Sequence, residues 1–399
     1  MSTEAATGRG RRMTAVLREQ ETVTPLELFF DLVFVLALTQ CTALMADEPT
    51  WEGLAKGLLV LAVMWWSWVG YAWLTSVVDP EEGSVRLVMF AAMAAFLVAG
   101  LSVPGAFGAS AFVFALAYAV MRIAHIALFM LASRDDPLFR TSVLGLAIST
   151  AIGVSLLLAA STTDGALQGG LWGAAILLDT AGPYFFGAEG WKLAPHHFAE
   201  RHGLIIIIAL GESIVAIGLG VTGSVDLGIV TAAVLGTAVA AALWWLYFDV
   251  VALVSARRLS EAPEGRVRNE IARDSWSYLH FPMVAGIVLV ALGMKKTLGD
   301  VEQPLQLVPA TALLGGTALY LLAHVAFRLR NIRTLNSRRL GLAIVLLALA
   351  PLVDALRLPA LGTIAILAAA LVALVAYETH SYGEGRTRVR TELRGEASR

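Results

Sequence analysis

Glu27 and Asp31 stand four residues apart, and Arg122, Asp179, Glu200, Arg201 and Glu212 follow, each inside or at the edge of a long apolar run. An ionisable side chain in lipid costs upward of about 2.5 kcal/mol, so each of these needs a reason to be there. Carboxylates in such places can carry a proton or a cation, and an arginine can hold an anion or neutralise an acid. On a helix Glu27 and Asp31 share a face, with Asp31 about 6 Å deeper. Glu212 lies twelve residues beyond Glu200, about 18 Å deeper at 1.5 Å per residue, which takes it past the membrane midplane. Arg122 sits near the centre of its run, and Asp179 precedes Pro183, which breaks or kinks its helix.

Arg122 is the sharpest anomaly. A guanidinium does not neutralise itself by losing a proton, so near the midplane it must meet a carboxylate or water. Glu212 and Asp179 match it best in depth, and Asp31 is within reach. Two readings stand open: a charged cluster lining a polar cavity, where a carboxylate trades its proton or a cation against substrate, or a permanent ion pair that only fixes helix packing.

Other groups carry less. His196, His197, Glu200 and His202 have spacings compatible with a metal, but no further ligand is identifiable, and a helix start with mixed charges accounts for them. Trp65, Trp66, Trp68, Tyr71 and Trp73, with Trp244, Trp245 and Tyr247, suit packing between helices or against lipid, or a stacking wall for an organic ligand. His125 and His324 read as hydrogen-bonded packing residues, and Asp249, His280, Asp354 and Glu378 as span-end groups that reach interfacial water. No phosphate-binding glycine loop, serine-hydrolase elbow or His-Glu-x-x-His motif occurs. No catalytic residue, metal site or cofactor is therefore assigned. The lone Cys41 allows neither an internal disulfide nor a thiolate metal cage.

The elements that must position these groups follow from composition. Of 399 residues 58% are apolar and 15% charged, where soluble chains average about 45 to 50% and about 25%. An ordinary soluble enzyme is excluded, and the net charge of −2 argues against a nucleic-acid partner. Cutting at charges, Pro and Gly clusters predicts an all-α membrane protein with spans at 25–45, 54–78, 87–105, 110–132, 141–160, 167–186, 203–221, 227–254, 275–294, 305–327, 340–356 and 360–378. The first is not a cleavable signal, because Glu27 and Asp31 interrupt it. Twelve spans place 24 of the 29 Lys and Arg on the side of both termini and 4 on the other, which predicts cytoplasmic termini. The chain divides into a cytoplasmic tail 1–24, transmembrane halves 25–186 and 187–378, and a disordered polybasic tail 379–399 near anionic lipid.

The halves echo each other. Glu27 and Glu200, Trp65-Trp66 and Trp244-Trp245, His125 and His324, and an identical pentapeptide at Leu144 and Leu340 recur in order, at offsets of 173, 179, 199 and 196. Six spans per half bring both halves in from one side, so the predicted repeat is parallel.

Thr24-Pro25-Leu26-Glu27-Leu28-Phe29-Phe30-Asp31, with His197-Phe198-Ala199-Glu200-Arg201-His202-Gly203 and Ala209-Leu210-Gly211-Glu212-Ser213, strongly resembles the bacterial low-temperature-requirement A family of membrane proteins. The likeness is close in these blocks and extends to length and hydropathy. It implies that Glu27, Phe30, Asp31, Glu200, Arg201, Gly211 and Glu212 match family motifs. The family name refers to growth in the cold and implies no particular reaction.

The sequence thus predicts a bacterial inner-membrane transporter of a small solute or ion, coupled to a proton or cation. Asp31, Glu212, Arg122 and Asp179 would couple, and Glu27 and Glu200 would gate the cytoplasmic side. The same carboxylates suit an intramembrane or lipid-modifying enzyme as acid and base, or a sensor or scaffold as fixed pairs. Membrane lipid is the implied partner, and assembly into a homo-oligomer is compatible with the sequence.

Overall fold

A computed structural model of the chain describes residues 22–397 except 82 and 222. The predicted N-terminal tail therefore lies almost wholly outside the described residues. The described chain is all-α, and apart from one isolated bridge between Pro304 and Pro359 it forms no strand pairing. Long apolar runs take this form because a helix satisfies its own backbone hydrogen bonds where no water is at hand.

The helices are α1 (Pro25–Asp47), α2 (Trp51–Thr75), α3 (Gly83–Ser102), α4 (Ala111–Ala132), α5 (Pro137–Ala160), α6 (Gly165–Phe185), α7 (Pro195–Gly220), α8 (Leu227–Phe248), α9 (Val251–Glu261), α10 (Arg266–Ile271), α11 (His280–Gly299), α12 (Leu307–Ile332), α13 (Ser337–Ala355) and α14 (Ala360–Ala397). A 3-10 turn, Val103–Gly105, follows α3, and a π-helical turn, Ala272–Tyr278, joins α10 to α11. Caps mark several starts. Thr24 and Glu27 form a reciprocal capping box on α1, and the Asp136, Asp226 and Asn336 side chains accept from the first turns of α5, α8 and α13.

Among the described residues, ten helical stretches are long and apolar enough to cross a membrane. Twelve were expected. The two long helices outside the ten are α6 and α13: α6 carries Gln168, Asp179 and several glycines, and α13 holds Arg338, Arg339 and Asp354 within 19 residues. Large apolar side chains such as Leu101, Leu116, Ile123, Leu177, Val234 and Ile344 point outward. An outer face of this kind suits lipid.

Three expectations change. The predicted eighth span, 227–254, ends at Phe248, and the chain restarts as the amphipathic α9. The stretch 255–274, expected as a loop, is largely helical, in α9, α10 and the start of the π turn, because its alternating Arg and Glu are good helix formers that pair at i,i+4. Helix α14 continues to Ala397, past residue 379 where a disordered tail was expected; seven of the 18 residues 380–397 are Glu or Arg, both good helix formers.

Helix α1 packs on α2 and α3, α3 on α4, α4 on α5 and α5 on α6, while α2 reaches back to α4 and α6. In the second half α7 packs on α8 and α11, α11 on α12, α12 on α13, and α14 returns to α8. The halves meet where α1 lies against α7 and α11. Small residues allow the tightest crossings: a Cβ on Gly286 of α11 would stand 2.6 Å from the Gly316 carbonyl oxygen of α12, and one on Gly182 of α6 would stand 2.4 Å from Ser149 Oγ of α5.

Candidate functional site

The acids and arginines sort into separate clusters. In the first, α1 supplies Glu27 and Asp31, α7 supplies His197 and Arg201, and α2 supplies Trp68 and Thr75. Glu27, Asp31, His197 and Arg201 are fully buried. Glu27 Oε1 lies 2.7 Å from His197 Nε2 and 3.6 Å from the Arg201 guanidinium. Arg201 donates to Asp31, and to Thr75 Oγ1 at 3.0 Å. Trp68 Nε1 donates to Asp31 Oδ1 at 2.7 Å while its ring lies beneath the Arg201 guanidinium at 5.4 Å. Phe30, one residue before Asp31, closes the far side against Tyr71 and Phe96 at 4.9 and 5.6 Å. Glu200 is not part of this group. Its side chain is exposed and accepts from the Val23 amide at 3.2 Å, so the two predicted gate acids occupy different environments. Gly211 faces outward, with nothing near a Cβ built there.

The second cluster contains Arg122. Its partner is Asp179: one terminal nitrogen reaches the two carboxylate oxygens at 3.0 and 3.1 Å and Thr150 Oγ1 at 2.5 Å. Tyr118 also donates to Asp179 at 3.0 Å, and Thr150 at 3.2 Å. Helices α4, α5 and α6 are thereby tied through one buried carboxylate. Gly153 of α5 permits the approach, since a Cβ there would stand 3.1 Å from the Asp179 Cβ.

Glu212, matched to Arg122 by depth, is elsewhere. It lies at the contact of α7 with α1 and accepts from Thr39 Oγ1 at 2.5 Å, and the Thr42 hydroxyl also faces it. Its side chain is 1% exposed, and among the described residues no Lys, Arg or His stands within ion-pair distance. Lys295 acts on it only from further off. Asp31, Asp179 and Glu212 thus share burial and differ in neutralisation: two are held by arginines and one by hydroxyls.

Sequence reasoning missed a third arginine pair. Arg339 of α13 grips Glu378 of α14 through two bonds, at 3.0 and 2.8 Å, and also donates to the Leu246 carbonyl at 3.1 Å. His324 Nδ1 lies 3.1 Å from the same guanidinium, and Asn336 donates to Glu378 at 2.9 Å. A signal was present: Glu378 stands 199 residues after Asp179, the same offset that relates His125 to His324. His280, expected at a span end in reach of interfacial water, is instead fully buried and pairs with the Ser275 carbonyl at 2.9 Å and the Tyr247 hydroxyl at 2.8 Å. Its ring meets His202 edge-on at 5.2 Å.

The predicted tryptophans divide as well. Trp65 and Trp73 donate to Ser277 of the π turn, at its carbonyl and its hydroxyl, at 3.0 and 2.9 Å. Trp66 and Trp73 line a cleft that reaches Arg122. Trp244 is exposed and stacks on Phe248 at 5.3 Å. No group of three or more His, Cys, Asp or Glu among the described residues is placed to hold a metal ion. Outside the spans, the Asp136 carboxyl lies below its usual range because it accepts the Phe139 amide at the start of α5 and sits beside Lys192.

Comparison with known proteins adds family context. Residues 22–376 match the family described as bacterial low temperature requirement A protein. An uncharacterized protein of Rhizobium meliloti (strain 1021) is 29% identical over 307 residues, which cover 74% of each chain. No solved structure matches the chain.

Proposed function

The chain belongs to the bacterial low temperature requirement A family, and for this multi-pass membrane protein we propose transport of a small solute or ion across the bacterial inner membrane, coupled to a proton or cation. The observation that carries the reading is the state of Glu212. Asp31, Asp179 and Glu378 each meet an arginine, whereas Glu212 meets threonine hydroxyls at the junction of the halves. A carboxylate so placed is stable only when it holds a proton or a cation, and exchange of that charge between the two sides is what coupling requires.

In this reading Glu212 is the coupling group. Asp31 and Asp179, with Arg201 and Arg122, are pairs whose rearrangement accompanies the cycle, and Glu27 and Glu200 flank the cytoplasmic entrance. Both termini are cytoplasmic, as the charge asymmetry favours. A parallel six-plus-six repeat of twelve spans would relate the halves. It is supported by the order of packing, since α1 lies on α2 and α3 as α7 lies on α8 and α11, and α2 reaches α6 as α8 reaches α14. It is also supported by the offset of 173 that relates Glu27 to Glu200, because the same offset relates Thr39 to its partner Glu212. In this reading Glu212 lies near the axis between the repeats, where alternation has its fulcrum. The family name adds a role in growth at low temperature.

The test is reconstitution in liposomes with an internal pH dye, across a panel of amino acids, amines, organic acids and salts. Glu212→Gln protein keeps its fold and loses coupled flux. Parental proton-coupled flux in that variant would show the coupling role to be wrong.

A further inference from the structure

A cavity of about 470 Å³ opens between α9 and the ends of α10 and α12, inside the range of about 300 to 1,000 Å³ usual for small-molecule sites. Its lining carries Arg257 and Arg258 of α9, Arg330 of α12, Arg333 just beyond it, and one acid, Glu261. The cavity lies at the end of the molecule where the described chain begins: α9 also walls a groove with Glu200, and Glu200 accepts the Val23 amide.

Most arginines of this segment are matched by an acid one helical turn away. Arg266 meets Glu270 at 2.8 Å, Arg268 meets Glu264 at 3.3 Å and, in the cavity, Arg257 meets Glu261 at 2.7 Å. Four residues after Arg258 stands Ala262, and among the described residues no carboxylate lies within ion-pair distance of Arg258 or Arg333. Arg330 shares Asp274 with Arg273, at 3.0 and 2.8 Å. Giving all of Asp274 to Arg330 still leaves two guanidiniums without an acid, and both side chains are exposed, with their donors open to a ligand. The C-terminal ends of α9 and α12 offset about half a charge each, so the cavity keeps about one positive charge.

Arg333 is also the C-cap of α12, at φ 58° and ψ 27° in the left-handed region. Glycine ends a helix there without steric cost, whereas an arginine strains the backbone. Strained residues of this kind cluster at ligand sites. Leu329 and Leu335, which flank Arg330 and Arg333 in the chain, are about half exposed, as suits the level where headgroups meet acyl chains. We propose that this cavity binds a monoanionic phosphate group, supplied by a lipid headgroup or by a soluble phosphate. Guanidinium forks match phosphate oxygens in pairs, and basic pockets between helices at a membrane face take anionic headgroups. The site stands apart from the transport reading, since none of its arginines belongs to the buried clusters.

The experiment offers the full chain, in nonionic detergent, two kinds of probe. Dioctanoyl phosphatidylglycerol and its zwitterionic counterpart dioctanoyl phosphatidylcholine are counted on the protein by native mass spectrometry, and inorganic phosphate and glycerol 3-phosphate are followed by ³¹P line broadening. Saturable retention of phosphatidylglycerol over phosphatidylcholine supports the site and assigns a lipid source; saturable binding of the soluble phosphates supports it and assigns a soluble one. Arg258→Gln and Arg333→Gly should each weaken binding about tenfold or more, the loss of one charge-assisted hydrogen bond. Glycine suits the left-handed cap better than arginine, so the thermal midpoint of Arg333→Gly should hold or rise while its binding falls, which a folding defect does not imitate. Arg266→Gln, outside the cavity, should bind as the parent does. The proposal is overturned if neither kind of probe binds saturably, if the two lipids are retained equally and the soluble phosphates do not bind, or if Arg266→Gln loses as much binding as Arg333→Gly.

Discussion

Replacing Asp179 by Leu strands the Arg122 guanidinium among α4, α5 and α6 and removes the acceptor shared by Tyr118 and Thr150. Breaking a buried ion pair from one side costs about 3 to 5 kcal/mol. The hydroxyls left without their acceptor add about 1 kcal/mol or more each. Arg122→Leu leaves the aspartate with only the Tyr118 and Thr150 hydroxyls, and its cost falls toward the lower end of the ion-pair range. The double replacement is different: exchanging a buried pair for apolar groups of similar volume is neutral or stabilising by about 1 to 4 kcal/mol. The expected coupling between the two positions is therefore at least about 3 kcal/mol, with the double variant more stable than either single one. Unfolding in mixed micelles followed by far-ultraviolet circular dichroism, with a full double-mutant cycle, measures it. A double variant that loses as much as the two singles added together would refute the claim that the energetic role of these residues lies in their contact. The same protein separates structure from function: a double variant that folds well and still carries solute assigns the pair to packing alone, and one that folds well without flux assigns it to transport.

Two further outcomes follow from the geometry. Gly286→Ala sets a Cβ 2.6 Å from the Gly316 carbonyl oxygen and 2.9 Å from the Tyr320 amide, both rigid backbone. Helices α11 and α12 must separate, and a loss of about 1 to 3 kcal/mol is expected in the same unfolding assay; an unchanged midpoint would contradict the close crossing. Asp136→Ala removes a cap and should cost about 1 kcal/mol near neutral pH. Because the folded carboxyl of Asp136 lies below its unfolded range, its contribution is complete above that range and is lost as pH falls through the folded value. The gap between parent and variant should therefore close in acid, and a gap that widened there would reverse the assignment.

Much of the site was legible, and the errors share one cause. Depth along a helix follows from residue number, and that alone singles out Arg122, Asp179 and Glu212 as buried charges to be paired. Choosing between Asp179 and Glu212 required knowing which helices touch α4 and which way each side chain is rotated about its helix axis. Arg339 was counted with a loop and Glu378 with a span end for the same reason. Each looks solvated until α13 and α14 are laid together with α8 and α12. Glu200 failed in the opposite sense: it matched Glu27 in the repeat and turned out exposed.

The amino-acid sequence by itself determined that the chain is helical, apolar on its outer face and charged at a few inner positions, because backbone groups in lipid must be satisfied within the segment that carries them and apolar run length sets where segments end. Only the tertiary structure decided which charges neutralise one another. Ion pairing depends on contacts between helices far apart in the chain, and a rotation of one helix by a single residue, about 100°, exchanges a buried partner for lipid. Glu212 held by a threonine hydroxyl and Asp274 shared between Arg273 and Arg330 are products of that packing, and no spacing along the sequence announces either.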